Sequence, residues 1–574
     1  MKKLFYLLML IMFFVLSYVV FATPFDNSTG VAAVAILDGT GAGDYTTLAA
    51  ASTAFNTVVG GINRAWTLQV NNGTYTEPTN SYFGNTFGID GSLTIKPASG
   101  ATPILNFTYI GAAPAGVIGH VVIGVTNGNA PDTSNCFSSN SKYIIDGSNT
   151  PGGITRNMTW IAGSPTTALA TPMNYVVTVF GNNDNVIVKN MDIEIYDTSG
   201  AHAPIRWASG NVATLGGDIL PDGGLLQNCK LVASYTGTGT HASGYGFATS
   251  VAIGTLTAGA VAGDLVIEKN EMYCKQRGIF LNAYGNITIR NNSIIMGGGT
   301  STGYSYQGIF HFTANGNSGF VQNIYNNKIN MTVPPVIATY SACGILCDSG
   351  VGTPPAPDMD GTYNIYNNTL ESITFNPAYS AATDAGTYAI SVNSVISDYI
   401  VEHNSFNIPS DAYLTGTTLG RIAGIRIPLA MTSGSVICGN NIIRMAQATT
   451  TPANVAVVFS ANSLGLTFVG NDLVPTGGGG FGNIAGTPYL NLASWQAAGY
   501  DSVVSGGQSV DPTTTSPSWD SALHFLGYPV TGLGTVASST ILTDIDGDVR
   551  PATGAVPGAD EPQVVTSAKT WSLY

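Results

Sequence analysis

The densest cluster of charged side chains in the chain comprises Glu268, Lys269, Glu271, Lys275 and Arg277. Lys275 and Arg277 are two positions apart, so on a β-strand both side chains would face the same side. Such a cation pair could neutralise a carboxylate and take up a proton, which is the chemistry of general base catalysis. A solvated face with local ion pairs explains the same residues, and the sequence favours that interpretation.

A pair of carboxylates is the second candidate for chemistry. Asp192 and Glu194 alternate near the first repeats, so both would lie on one face of a strand. Glycoside hydrolysis uses two carboxyl groups about 5–9 Å apart across a cleft. The sequence cannot show such a cleft, so the pair is a candidate by its spacing alone. Scattered polar residues, among them Arg206, His403 and Arg426, are predicted to lie on the surface or in loops.

Three carboxylates near the C-terminus suggest a cation site. Asp544, Asp546 and Asp548 occupy alternate positions, and calcium favours such oxygen clusters. A calcium-binding EF-hand loop would need glutamate at its twelfth position, where this chain has Ala555. The sequence favours a closing turn held by aspartate hydrogen bonds, with Arg550 as an ion partner, and keeps a bound Ca²⁺ as the alternative.

Aromatic residues are the remaining candidates for ligand binding. Tyr304 and Tyr306 flank His311, and Tyr325 and Tyr366 stand at equivalent positions of successive repeats. If they are exposed, these rings could stack on sugars and form a carbohydrate site. A packed aromatic ladder that stabilises the fold is the favoured alternative.

The elements that would position these residues come from a repeated motif. In this motif an asparagine follows one apolar residue by three positions and precedes another by two. Looser copies occur around Asn190 and Asn228. The asparagines of the seven full copies are Asn270, Asn292, Asn327, Asn368, Asn404, Asn441 and Asn471.

A second short strand lies between the motifs and often begins with glycine, as at 278–281 and 308–311. No repeat has a helical period, so the predicted fold class is all-β. A helix-free repeat cannot bury its own apolar face, and successive repeats must therefore coil into a solenoid, about 4.8 Å per coil. Inward asparagines would then bond the asparagines above and below them in a structural ladder.

This pattern resembles the right-handed parallel β-helix of the pectin-lyase-like family over roughly residues 60–480. The sequence before the repeats looks like the entry segment of related proteins and predicts a short N-terminal capping helix. Asp44 or Thr46 would cap this helix, and Leu48, Ala51 and Phe55 would cover the first coil. The segment after the repeats resembles the closing module of secreted bacterial β-helix proteins, which often precedes an interchangeable surface anchor.

The resemblance leaves the activity open, because the fold hosts lyases, hydrolases, esterases, adhesins and phage proteins. The signature motifs of galacturonan hydrolases, pectinesterases and pectate lyases do not occur in the chain. A lyase of this fold would need a charge neutraliser and a base beside a uronate carboxylate. Lys275 and Arg277, with Glu268 and Glu271 nearby, are the residues that could supply them.

The N-terminus predicts export. Lys2 and Lys3 precede an apolar run, and small residues stand at the −3 and −1 positions before Thr23. We therefore predict a signal peptide over residues 1–22, with an uncleaved anchor as the alternative. The predicted division of the remaining chain is an N-terminal cap with the first coils (23–110), β-helix repeats (111–480), a closing module (481–562) and a tail (563–574).

The composition limits the function further. Only 9% of the 574 residues are charged, and the net charge of −14 has the wrong sign for nucleic acid. The mature chain has no run of about 18 apolar residues, so no transmembrane segment is expected there. The six cysteines are sparse for a disulfide scaffold, and most are predicted to be small buried residues.

These observations predict a secreted or cell-surface β-helix protein that acts as a non-catalytic adhesive, carbohydrate-binding or structural module. Its expected partner is an extracellular polysaccharide or a cell-surface glycan, and Ca²⁺ is the one cofactor that the sequence suggests. The alternative is a polysaccharide lyase or hydrolase acting on uronate-containing glycans.

Overall fold

The structure is a computed structural model. It describes residues 25–108, 119–124, 142–164, 175–180, 185–196, 201–208, 223–233, 243–250, 264–282, 286–297, 306–312, 318–331, 342–348, 360–371, 386–392, 396–408, 421–427, 433–446, 454–459, 466–476, 480–484, 487–499, 518–519, 525–527, 541–550 and 558–559. The predicted signal peptide, Tyr304, Cys136 and the tail lie outside these ranges.

Three long parallel sheets, here called sheets I, II and III, make up almost all of the described structure. Sheet I contains β1 (Ala33–Leu37), β2 (Ala65–Val70), β5 (Ser92–Pro97), β8 (Tyr143–Asp146), β11 (Ile187–Lys189), β14 (Leu225–Gln227), β17 (Leu265–Glu268), β20 (Ile287–Arg290), β23 (Ser318–Tyr325), β26 (Asp360–Tyr366), β29 (Asp398–Glu402), β32 (Val436–Gly439) and β35 (Leu466–Val469).

Sheet II contains β3 (Thr74–Glu77), β6 (Ile104–Phe107), β9 (Met158–Ala162), β12 (Met191–Ile195), β15 (Lys230–Ala233), β18 (Glu271–Cys274), β21 (Ser293–Met296), β24 (Lys328–Met331), β27 (Thr369–Glu371), β30 (Ser405–Ile408), β33 (Ile442–Ala446) and β36 (Asp472–Thr476).

Sheet III contains β4 (Ser81–Phe83), β7 (Val121–Ile123), β10 (Tyr175–Phe180), β13 (Ala201–Ala208), β16 (Ser243–Ser250), β19 (Arg277–Asn282), β22 (Tyr306–Phe312), β25 (Ala342–Asp348), β28 (Gly386–Val392), β31 (Arg421–Ile427), β34 (Asn454–Phe459), β37 (Gly480–Ile484) and β38 (Thr487–Tyr489). A separate antiparallel pair joins β39 (Ser518–Trp519) and β40 (Phe525–Gly527).

The chain visits the three sheets in turn, and each strand pairs in parallel with the equivalent strand of the next coil. Among the described strands of these sheets only β38 reverses, pairing antiparallel with β37 at the C-terminal end of sheet III. The predicted all-β, right-handed parallel β-helix is therefore confirmed. No helix among the described residues is long and apolar enough to span a membrane.

Inward side chains in register form the core. On sheet III one such row is fully buried, and burying an aliphatic side chain of this size contributes about 1.5–3 kcal/mol. This row consists of Ile205, Phe247, Ile279, Ile309, Ile345, Ile390 and Ile425. The five described cysteines (229, 274, 343, 347 and 438) are likewise buried thiols, as expected.

The glycines at the strand entries of sheet III are required by close packing. A Cβ on Gly278 would approach both the Gly308 carbonyl oxygen and a methyl group of Ile294 to 2.4 Å. The equivalent Cβ on Gly308 would approach the Gly344 carbonyl oxygen to 2.6 Å. Real Cβ atoms do not tolerate such contacts, so glycine lets sheet III pack closely against sheet II.

The predicted N-terminal helix is present as α1 (Leu48–Asn56), with Leu48, Ala51 and Phe55 buried. Its N-cap differs from the expectation, because the Thr47 hydroxyl accepts the Ala50 N–H at 3.1 Å. Asp44 instead accepts the N–H of Ile36 on edge strand β1, at 2.7 Å. Asp44 thus protects a sheet edge rather than a helix end.

A second short helix, α2 (Leu492–Ala497), covers the other end of sheet III. Its Trp495 is fully buried against Phe468 and Tyr489, with ring centroids 5.4 and 5.9 Å away. A Cβ on Gly482 of β37 would lie 2.0 Å from the Trp495 ring, so this glycine makes room for the indole.

Candidate functional site

The seven repeated asparagines form one continuous ladder at the corner between sheets I and II, here called the I–II corner. Each asparagine from Asn270 to Asn441 donates both its backbone N–H and its side-chain N–H to the Oδ1 of the next asparagine. The same side chains also donate to a backbone carbonyl of the preceding coil, such as Leu226 for Asn270. The ladder therefore satisfies buried polar groups, which is a structural role.

The corner itself is made by the residue before each ladder position. Lys269, Asn291, Asn326, Asn367, His403 and Asn440 have φ between 52° and 57°. Asparagine adopts this left-handed conformation more readily than most residues, so the Asn–Asn pairs have two separate tasks. Asn190 and Asn228 have the same conformation, so they occupy the corner position and not the ladder.

The structure distributes the predicted charged cluster over different sheets. Glu268 ends β17 on sheet I and pairs with Arg290, whereas Glu271 begins β18 on sheet II and pairs with Arg156 at 3.0 Å. Lys275 lies in the two-residue bend before β19, and only Arg277 lies on sheet III. The corner and the bend turn the chain between these residues, so Lys275 and Arg277 do not share a strand as the sequence suggested.

The carboxylate pair on β12 is held by a lysine. Lys230 Nζ lies 3.5 Å from Asp192 and 3.3 Å from Glu194, and Tyr196 donates to the other oxygen of Glu194. Burial raises the pKa of Asp192, while the charge of Lys230 opposes this shift. Asp192 and Lys230 are partners in the register of sheet II, so the group is an ion ladder between coils.

Two of the predicted sugar-binding residues lie in the interior. Tyr306 and His311 are 2% and 0% exposed. His311 Nδ1 is 2.8 Å from the Tyr363 hydroxyl, and its Nε2 is 2.8 Å from the Gln322 amide nitrogen. Because sugar stacking needs an exposed ring, these two residues are wrong as carbohydrate contacts; the repeat makes them part of the core.

Tyr325 and Tyr366 pack against each other, as the favoured interpretation of a packed aromatic ladder predicts. Their rings are parallel within 6° at a centroid distance of 4.7 Å, in neighbouring strands of sheet I. Arg290 donates to the Tyr325 hydroxyl at 3.0 Å and also pairs with Glu268. The two tyrosines therefore continue a polar row along the outer face of sheet I.

The aspartates near the C-terminus form a hairpin turn. Asp544 Oδ1 accepts the backbone N–H groups of Asp546 and Asp548 at 3.0 and 2.9 Å. Across the described ranges, no three His, Cys, Asp or Glu residues converge on a point that could hold a metal ion. The arrangement fits the closing turn, although Arg550 contacts Asn367 and the Gly558 carbonyl oxygen, a partnership that the sequence did not suggest.

The strongest candidate for ligand contact surrounds Arg277 on the outer face of sheet III, and is here called the arginine platform. Its guanidinium carbon lies 4.5 Å from the ring centroid of Phe280, 4.9 Å from that of Phe310 and 5.2 Å from that of Tyr245. Arg277 Nε donates to Gln307 at 2.9 Å, and Nη1 donates to the Tyr245 hydroxyl at 3.4 Å.

The arginine platform is partly exposed, and its cation lies in a partly desolvated environment. Arg277 and Phe280 are half-buried, and no described residue accepts a hydrogen bond from Nη2 of Arg277. Burial lowers the pKa of Arg277, and the neighbouring Tyr245 opposes that shift. A cation held on rings in a partly dry site can bind an anion or a sugar hydroxyl more strongly than a solvated cation can.

Similar arginine–aromatic contacts recur elsewhere on sheet III, but their arginines are buried. The Arg206 guanidinium lies 4.8 Å from the Tyr175 ring, and that of Arg426 lies 4.8 Å from the Tyr388 ring. Both arginines are buried, at 5% and 6% exposure, although the sequence predicted surface or loop positions. Sequence reasoning identified Arg277 but missed its aromatic neighbours, which the register of the glycine-led strands could have revealed.

No protein-family model matches the chain, and no curated protein matches it. The fold and the geometry of the arginine platform are therefore the basis for inferring a function.

Proposed function

We propose that this chain is an extracellular β-helix module that binds carbohydrate without transforming it, and that acidic sugars bind at the arginine platform. The observation that carries the proposal is the half-buried Arg277, held over three aromatic rings with one terminal nitrogen that donates to no described residue. The signal peptide that the sequence predicts supports an extracellular role for such a module.

The chemistry of the platform suits a sugar with a carboxylate. The partly exposed Phe280 ring offers an apolar face for sugar C–H groups, and burying such a face favours binding. Arg277 can form charge-assisted hydrogen bonds with a carboxylate, which are about twice as strong as neutral ones. Gln307 and Tyr245 fix the guanidinium in place, so little side-chain entropy is lost on binding.

Isothermal titration calorimetry of the mature protein with polygalacturonate, alginate, hyaluronan and neutral dextran tests this proposal. We expect binding of at least one acidic polymer, weakened by salt, and no binding of dextran. Arg277→Gln should reduce the affinity at least about tenfold, because it removes a charge-assisted contact.

The matched control is Arg290→Gln, because Arg290 is also half-buried but lies on sheet I in a pair with Glu268. This variant should bind like the wild type. Equal loss in both variants, or binding that is unaffected by Arg277→Gln, would refute the platform as the site.

One observation favours a polysaccharide lyase as the second candidate. Burial lowers the pKa of Lys275, two residues from Arg277, and a lysine with a lowered pKa can act as a base. However, Lys275 is only 1% exposed, which keeps substrate away from its amine. Formation of unsaturated products, followed by ultraviolet absorbance and abolished by Lys275→Ala, would replace the binding proposal with the lyase.

A further inference from the structure

The C-terminal hairpin folds back onto the solenoid far from its own place in the sequence. Residues 541–550 and 558–559, here called the C-terminal clasp, lie against the I–II corner. Asn367 donates to the Thr543 carbonyl at 2.6 Å and accepts from Arg550 at 3.0 Å. The Gly558 N–H donates to the Asn440 carbonyl at 2.7 Å.

The fit between the clasp and the corner is close. Ala559 N–H donates to the Ser405 hydroxyl at 2.9 Å, and Ala559 is fully buried. A Cβ on Gly558 would approach Ile442 to 2.6 Å, and Gly558 has a φ of 101°. These contacts span three successive coils, so the clasp is a docked element and not a loose tail.

A histidine lies under the clasp. His403 takes the corner position between Asn367 and Asn440 and is fully buried. Its Nε2 is 3.4 Å from the Asn440 amide nitrogen, and the Gly558 backbone of the clasp is a second polar group beside the ring. Asparagine occupies the equivalent position in both neighbouring coils, so the backbone does not require histidine here.

We propose that protonation of His403 releases the C-terminal clasp from the I–II corner, so that the clasp opens in mild acid while the solenoid stays folded. This inference goes beyond the proposed function, because it concerns a switch at a corner of the solenoid and does not involve the arginine platform.

The cation of the clasp opposes the protonation of His403. Arg550 supplies this charge, and the residue is itself only 7% exposed. The adjacent Glu402 lies on the outer face of sheet I, and Asp544 of the clasp is engaged with backbone N–H groups of its own turn. Burial and the Arg550 charge lower the pKa of His403 to about 3, against an opposing interaction with the backbone of Gly558.

The direction of the pH effect follows from this shift. When the clasp is open, His403 is solvated and regains an ordinary pKa near 6.5. Docking is therefore fully favourable above about pH 6.5 and weakens by up to tenfold in equilibrium constant per pH unit below that value, because one proton is taken up on opening.

Hydrogen–deuterium exchange of the full chain between pH 7.5 and 4.5, corrected for the intrinsic pH dependence of exchange, tests the proposal. Protection of the Gly558 and Ala559 amides, which bond to the corner, should fall by up to about tenfold per pH unit below pH 6.5. The ladder amides of Asn327 and Asn368 should keep their protection, which shows that the coils remain folded.

His403→Asn is the decisive variant, because Asn adopts the left-handed conformation and carries no titratable group. In this variant the protection of the clasp should not depend on pH. The same pH-dependent loss in His403→Asn, or a wild-type clasp that stays protected at pH 4.5, would overturn the proposal. If the ladder and the clasp lose protection together, release is global unfolding and the proposal is wrong.

Discussion

Two segments cover the same I–II corner by different means. The loop between β8 and β9 (residues 147–157, here called the loop cover) lies over Asn190 and Asn228, and the C-terminal clasp lies over Asn367 and Asn440. Each uses one arginine, but Arg156 of the loop cover is partly solvated and forms an ion pair with Glu271.

The arginine of the clasp works in a different environment. Arg550 is almost fully buried and donates to neutral oxygens of Asn367 and Gly558. A solvated ion pair contributes little and is screened by salt, whereas a buried guanidinium is costly once its acceptors are lost. The I–II corner is therefore covered in two ways: weakly by the loop cover, and strongly but switchably by the C-terminal clasp.

Chain connectivity sharpens this contrast. The loop cover joins two strands that are consecutive in sequence, whereas Arg550 of the clasp and its partner Asn367 are 183 residues apart. Closing a longer loop costs more entropy, although the cost grows slowly with length. The clasp therefore depends on its contacts more than the loop cover does.

The largest effect is expected for Arg550→Ala. This change leaves Asn367 Oδ1 and the Gly558 carbonyl without their donor, and should destabilise the docked clasp by about 3 kcal/mol. Hydrogen exchange at the Gly558 and Ala559 amides measures the loss, with the ladder amides as the reference. Unchanged protection would mean that the buried arginine is not what holds the clasp.

Gly558→Ala should have the next largest effect, about 2 kcal/mol, because the new methyl group meets Ile442 and the backbone has a positive φ. The same exchange measurement applies. Gly547→Ala is the matched control, since Gly547 also has a positive φ of 86° but a Cβ added there would have no atom within 4 Å. Equal losses in both variants would assign the effect to backbone strain alone.

Arg156→Ala should cost about 1 kcal/mol at low salt and less at high salt, because salt screens its partly solvated ion pair with Glu271 and leaves its hydrogen bond to the Asn228 carbonyl unchanged. Urea unfolding at low and high ionic strength measures this difference. A larger loss of unfolding free energy that does not depend on salt would mean that the two covers do not differ in strength as argued.

The smallest effect concerns pH at the loop cover. Burial alone would raise the pKa of Glu271, but hydrogen bonds from Tyr273 and Arg156 and the Arg156 charge lower it overall. Its contribution is therefore present above the ordinary glutamate pKa of about 4.3 and is lost as pH falls through the lower folded value. The protection of the amides in residues 153–157, corrected for the intrinsic pH dependence of exchange, should stay constant between pH 7 and 5, where the clasp already opens.

The sequence predicted the fold and the ladder because both depend on patterns with a fixed local period. The apolar-x-x-Asn-x-apolar motif identified the ladder positions from Asn270 to Asn471, and glycine marked the strands of sheet III. The capping helix followed from its apolar face, although the cap proved to be Thr47.

The site was harder to predict because it depends on where the chain turns. Lys269 adopts the corner conformation and thereby places Glu268 and Glu271 on different sheets. His311 alternates in phase with core residues, which places it inside the solenoid. The aromatic rings around Arg277 come from three coils, and only the register between those coils brings them together.

The asparagine ladder has a consequence for how the length of this molecule can change. Its six successive side-chain links keep donor–acceptor distances of 2.9–3.0 Å, although the linked asparagines are 22 to 41 residues apart in sequence. Every link runs in the same direction: each asparagine accepts at its Oδ1 from the preceding coil and donates its N–H groups to the following coil. A whole coil could be duplicated or removed by recombination without leaving an unmatched amide, and each connecting segment is free to diversify independently.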